Sequence, residues 1–273
     1  EKRKLRYEDV YPILYLKYRL ETQQEDSGVR HLIVDEMQDY SRIQYLIIQK
    51  LFKCKMTILG DREQTMDGDH VLTFLPKIFG KDIRRIVMNK SYRNTIEIAS
   101  YANQLAGITE VELFERHGKP VEEKEFPGLI EALERVVKEL KLEKQAVTEA
   151  EADRMKMADM ETAGAEGQEE FSYETAAVIT RTADEAREAY YILQKKLEAE
   201  GFDTKERLSL LHRDSTNFKK GLTVTTFYMA KGLEFDQVFS LFPAADQSLI
   251  AKQGRYIAAT RALHKLHMYE YGK

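Results

Sequence analysis

The sequence predicts an α/β protein built from parallel sheets flanked by helices. Short apolar, β-branched runs recur at residues 32–34, 56–59, 176–180, 222–227 and 236–242, as expected of strands covered on both faces. Segments with apolar residues at helical spacing lie between several of them, and strand–helix–strand order indicates βαβ units. The length of 273 residues, 43% of them hydrophobic, provides for one large domain or two ordinary ones with a sizeable core.

Composition narrows the function classes. The single Cys54 excludes an internal disulfide framework and a multi-cysteine metal site, and fits a reducing cytoplasm. No apolar run approaches the ~20 residues of a membrane span, and no signal peptide opens the chain, so no membrane partner is expected. The first residue is Glu1 and not Met, which reads as a fragment of a longer chain. The net charge of −4 gives no bulk basic field, so contact with nucleic acid has to come from a local patch.

In chain order, residues 7–20 are rich in Tyr, Leu and Ile and predict a helix packed on a core, with Pro12 tolerated near its start. Residues 31–41 read HLIVDEMQDYS. The strand 32–34 runs straight into Asp35 and Glu36 at the carboxyl edge of the sheet, where ligands of open α/β sheets bind. One carboxylate there can hold Mg²⁺ and the next can orient or deprotonate a water. A strand entering a solvated acidic turn is the alternative. Ser41 or Tyr40 starts a helix with Ile43, Leu46, Ile47 and Leu51 on one face. The strand 56–59 then brings Gly60-Asp61-Arg62-Glu63-Gln64 to the same edge, where Gln64 can bond a phosphate or a water without adding charge, or simply form a polar turn.

Residues 83–88 predict a further strand. Asn94 and Glu97 have the spacing of an N-cap and its capping partner for a helix over 95–105, which places Arg93 just before a helix N-terminus, a position suited to phosphate. Tyr92 offers a flat face for a base. The alternatives are a solvated Arg and a core Tyr. Residues 121–126 alternate like an edge strand and 127–140 form an amphipathic helix. Residues 141–170, charged and without aromatics, read as a helical extension or flexible insertion. Next come a helix over 183–200, a strand near 208–211, a local basic run (Lys205, Arg207, His212, Arg213, Lys219, Lys220), a helix over 253–263 and a last strand over 265–269. Arg261 lies near that helix's C-terminus, where the dipole favours a solvated Arg. His264 and His267 lack a third ligand and read as surface or packing residues.

Taken together, DEMQD (35–39), GDREQ (60–64), SYR (91–93), MAKGLEF (229–235) and YIAATRA (256–262) resemble motifs II to VI of superfamily 1 helicases of the UvrD/Rep type. Because no large insertion precedes MAKGLEF, the chain is most similar to the HelD-like branch, helicase-related ATPases associated with bacterial RNA polymerase. The resemblance implies a P-loop NTPase fold: residues 1–80 as the rear of a first RecA-like domain and 81–273 as a second. It implies ATP and Mg²⁺ as cofactors, and DNA, ahead of RNA, with RNA polymerase as partners. Asp35 would hold Mg²⁺, Glu36 activate the water and Gln64 sense the γ-phosphate. Arg93 and Arg261 would act as arginine fingers. Tyr92 would stack near the adenine and Glu234 meet the ribose. Lys231, Thr226 and Tyr228 lie where motif V touches the nucleic-acid strand or couples it to the nucleotide. Two departures stand out. No Gly-x-x-x-x-Gly-Lys-Ser/Thr loop occurs, so this chain alone is expected to be nearly inactive. Residues 65–70 (TMDGDH) carry two acids where strand-translocating relatives place base-stacking aromatics. A non-catalytic, protein-binding module with a degenerate helicase fold is the alternative.

Overall fold

The computed structural model describes residues 4–21, 28–61, 64, 71–80, 82–88, 90–109, 111–142, 174–212, 215 and 220–272. The expectations placed on residues 65–70, on most of 141–170, and on Arg213 and Lys219 fall outside them. Internal contacts divide the chain into two compact units, Glu1–Met88 and Asn89–Lys273.

In the first unit, helix α1 (Tyr7–Leu20) contains no buried residue. It lies along α2 (Arg42–Leu51) and does not seat on a core as its composition predicts. Leu16 and Leu20 stay exposed. Strand β1 (His31–Val34) pairs in parallel with β2 (Lys55–Ile58), with His31 opposite Lys55 and Val34 opposite Ile58. The expectation of a strand buried on both faces is corrected. Val34 is buried, but Ile33 is 64% exposed, because the core packs on one face of this two-stranded sheet only and successive side chains alternate between faces. That core is Val34, Met37, Tyr45, Val71, Phe74, Leu75 and Ile78, the last four from α3 (Val71–Phe79). Tyr45 is fully buried, donates its hydroxyl to Met37 O at 3.1 Å and meets the Phe74 and Phe79 rings. Ser41, one of the two expected starts, takes the N-cap position of α2 in a capping box with Gln44. The strand expected over 83–88 does not form. Ile86, Val87 and Met88 are exposed; an apolar run becomes a strand only where a neighbouring edge offers hydrogen bonds.

In the second unit, β3 (Lys90–Ser91) pairs in parallel with β4 (Glu112–Leu113), and α4 (Ile96–Ala106) lies between them in sequence. The main sheet contains β5 (Glu122–Phe126), β6 (Thr175–Thr180), β7 (Leu208–Leu210), β8 (Gly221–Thr226), β9 (Phe235–Pro243) and β10 (Ala262–Tyr271). All neighbours are parallel, in the order β5-β10-β9-β6-β8-β7. Helix α5 (residues 129–142) and α6 (Ala183–Ala199) bury Leu133, Val136, Leu193 and Leu197 against Val178, Val224, Phe239 and Leu241. Ala177 and Ile179, which alternate with Val178, are also fully buried, on the opposite side of β6. Helix α8 (Leu249–Thr260) packs against β9, β10 and α4. The short helix α7 (Thr204–Arg207) precedes β7. Helices on both faces explain why the central strands read as unbroken apolar runs, whereas β5, at the edge, alternates.

Helix α8 starts four residues earlier than expected, because Ser248 accepts the Ala251 N–H and caps it there. It ends before Arg261, which takes the C-cap position.

Candidate functional site

Each unit holds a separate set of the expected site residues. In the first unit the backbone turns sharply after β1. Glu36 has φ 51°, ψ 52° and is the one non-glycine residue with positive φ among those described. A left-handed glutamate costs on the order of 1 kcal/mol and persists where its surroundings over-determine it. Here the Glu36 N–H donates to Asp35 Oδ1 at 2.8 Å, and the Gln38 amide donates to Glu36 Oε2. Gln38 Oε1 in turn accepts the Asp61 N–H at 3.0 Å, and the Gln64 amide donates to Asp61 Oδ2 at 2.9 Å. The two strand tips are further joined by Met37 N–H to Leu59 O and Leu59 N–H to Val34 O, both 2.8 Å. Asp35 and Glu36 are exposed, while Gln38 and Gln64 are buried. Gly60 makes the close approach possible: a Cβ there would lie 2.5 Å from Gln38 Oε1 and from Met37 Cγ. Exposed carboxylates at a strand tip are hard oxygen donors of the kind Mg²⁺ takes. Gln38 is the residue sequence reasoning passed over, although it lies inside the DEMQD string.

In the second unit Arg93, Glu234 and Arg261 gather where β9 and β10 begin. Arg93 Nε pairs with Glu234 Oε1 at 2.6 Å, both about half exposed, so the pair contributes at most about 1 kcal/mol to stability. Arg261 is 3% exposed, not the solvated residue the helix-end position predicts. Its guanidinium donates to Leu233 O at 3.4 Å and to Thr260 Oγ1, and its carbonyl accepts the Phe235 N–H at 2.9 Å. Asn94 does not cap α4 either. Its amide donates to Ala262 O at 2.6 Å and to Thr260 O, which ties the Arg93 loop to the end of α8. Thr95 takes the N-cap position, and Glu97 accepts the Gly118 N–H at 2.8 Å and bonds His117. Tyr92 is 62% exposed and contacts the Phe114 ring, centroids 5.6 Å apart.

The remaining expected residues lie in the turn after β8. Thr226 Oγ1 accepts the Met229 N–H at 3.3 Å and Thr226 O accepts the Ala230 N–H. Tyr228 is 61% exposed, Lys231 is half-buried, and Gly232 adopts φ 77°.

Two further arginines escaped sequence reasoning. Arg255, buried in α8, donates to Asp246 O and Pro243 O and pairs with Glu270. Arg116 donates to Arg93 O at 3.1 Å, to Leu263 O at 3.2 Å and to His264 Nδ1 at 2.8 Å. Burial and the Arg116 charge hold the His264 imidazole below its ordinary value, partly offset by Asp236.

Among the described residues no helix is long and apolar enough to cross a membrane. No group of three or more His, Cys, Asp or Glu among them is arranged to hold a metal ion.

No curated protein matches the chain. Among solved structures it is similar to the C-terminal domain of a possible DNA helicase from Lactobacillus plantarum WCFS1, at 20% identity and TM-score 0.43, over 67% of this chain and 89% of that one. It is similar to PRRSV helicase at 14% identity and TM-score 0.40, over 87% of this chain and 34% of that one. It is also similar to S. cerevisiae Dbp5 bound to Gle1 and IP6, at 12% identity and TM-score 0.43, over 99% of this chain and 60% of that one. Residues 10–66, the stretch from α1 through both strand tips to Gln64, match the family described as UvrD/REP helicase N-terminal domain.

Proposed function

We propose that the chain carries the nucleotide-responsive parts of an ATP-driven, superfamily 1 helicase-type motor of the UvrD/Rep kind, nearest its HelD-like branch. Residues 1–80 supply the rear of a first RecA-like domain and 81–273 a second. The observation that carries the reading is the acidic strand tip: Glu36, in a left-handed backbone, is tied through Gln38 to Asp61 and Gln64, within the span that matches the helicase family.

MgATP, when bound, supplies the phosphoanhydride whose hydrolysis drives the motor. Asp35 would hold Mg²⁺. Glu36 would take the proton of the attacking water, its carboxylate aimed by the Gln38 amide. Gln64, anchored on Asp61, would report the γ-phosphate. Arg93 and Arg261 would neutralise charge in the transition state, a contribution of ~10³–10⁵ in rate, or roughly 4–7 kcal/mol. Tyr92 would stack on the adenine, Glu234 would bond the ribose and Lys231 would couple the nucleotide to the strand. Thr226 and Tyr228 would contact nucleic acid, DNA in preference to RNA, and hydrolysis would drive movement on nucleic acid or remodelling of RNA polymerase complexes in the cytoplasm. The phosphate loop absent from these residues has to be supplied with them for turnover.

The test is nucleic-acid-stimulated ATP hydrolysis by a protein that contains this chain together with a phosphate loop. Glu36→Gln should lower kcat by about 10²–10⁴ with little change in KM for ATP. Unchanged turnover would remove the assignment. Loss of all nucleotide dependence with retained binding to RNA polymerase would favour a non-catalytic module with a degenerate helicase fold.

A further inference from the structure

We propose that Arg116 is a positioning residue that sets Arg93 by holding its backbone in one frame with the start of β10; this rests on the function proposed above. Arg116 lies in the segment after β4, outside every motif that carries the resemblance. Its guanidinium reaches two separate parts of the chain. It donates to Arg93 O at 3.1 Å on one side and to Leu263 O and His264 Nδ1 on the other, at 3.2 and 2.8 Å. Its own carbonyl accepts the Ile96 N–H at 2.9 Å, the first residue of α4. Arg93 therefore enters its loop with the backbone pinned to the start of β10, two residues beyond Arg261. Asn94 doubles the link through Ala262 O and Thr260 O.

The frame reaches the sheet. A guanidinium cannot accept a hydrogen bond, so His264 Nδ1 is the acceptor and its ring is neutral. The Nε2 side of that ring faces Asp236 Oδ1 at 3.7 Å. Asp236 Oδ2 accepts the Thr175 N–H and hydroxyl at 2.9 and 2.8 Å, at the first residue of β6. The fork needs fixed donors pointing two ways, which a lysine ammonium cannot reproduce.

Two measurements test this. Amide hydrogen exchange on the 273-residue chain should show faster exchange confined to residues 90–94 and 260–264 in Arg116→Lys and Arg116→Ala, with the β6–β9 core unchanged. In the loop-containing protein, Arg116→Ala should lower kcat at least tenfold with KM for ATP nearly constant. The double variant with Arg93→Ala should be no slower than Arg93→Ala alone, because Arg116 acts through Arg93. A purely structural role would make the two losses multiply, and that result, or normal turnover in Arg116→Ala, would overturn the inference. If Arg93→Ala and Arg261→Ala themselves leave turnover intact, the proposed function falls and this inference with it. Loss in those two variants but not in Arg116→Ala would reject the inference alone.

Discussion

The face of the main sheet under α5 buries a charged cluster whose titration should be measurable. His267 is 1% exposed, stacks on Phe239 with centroids 4.4 Å apart, bonds Glu122 through Nδ1 and accepts the Gln237 amide through Nε2 at 3.0 Å. Both ring nitrogens are satisfied in the neutral form. Burial and the Lys265 charge push the imidazole down to about 4, against the pull of Glu122 and Glu139. Burial works to raise the Glu122 carboxyl too, but bonds from Lys124, Tyr269 and His267 outweigh it and hold the group far below the usual range. Glu122 therefore stays ionised throughout the window considered. Arg135 pairs with Glu122 and Glu139, and Lys265 pairs with Glu139. The sign follows directly. The unfolded chain takes up the imidazole proton near pH 6.5, whereas the folded chain resists until about pH 4. Stability is thus fully present above pH 6.5 and is lost as pH falls, by at most about 1.4 kcal/mol per pH unit. Between pH 7.5 and pH 5.0 the loss is about 2 kcal/mol. Urea unfolding followed by far-ultraviolet circular dichroism, at both pH values, on the chain and on His267→Gln, isolates the contribution. The variant should start less stable at pH 7.5 but lose about 2 kcal/mol less on acidification. Parallel pH dependences in the two proteins would refute the reasoning.

The other structural predictions concern backbone and caps. Gly60→Ala places a methyl group 2.5 Å from Gln38 Oε1 and 2.7 Å from Met37 N, and should destabilise the first unit by about 1–3 kcal/mol through overpacking, read as a fall in its urea midpoint. Thr182 accepts the Glu185 N–H at 3.2 Å, and Glu185 bonds back to the Thr182 N–H at 3.0 Å. Thr182→Ala should therefore cost about 1 kcal/mol, whereas Thr182→Ser should be nearly neutral in the same assay.

Much of the sheet was legible because central parallel strands leave a local signature: Ala177, Val178 and Ile179 are apolar in sequence and fully buried in the fold. The same signature misled at Ile33 and over 83–88, since an apolar run reports what a strand could bury and not whether a layer exists to cover it. Ser41, one of the two helix starts the sequence offers, caps α2, whereas the Asn94 and Glu97 spacing does not yield a cap. Thr95 takes the N-cap instead, and the Asn94 amide donates to Ala262 O, 168 residues away. Gln38 was within reach of sequence reasoning, because its neighbours in the DEMQD string were already suspected. Arg116 was not. Its partners are 23, 147 and 148 residues distant, and no periodicity marks a polar loop residue whose acceptors are two backbone carbonyls and a distant imidazole. Residue chemistry points to the groups that could touch a nucleotide, but the groups that aim them are chosen by topology. That is why the test of the site rests as heavily on Arg116, which no motif contains, as on Arg93 and Arg261, which motifs name.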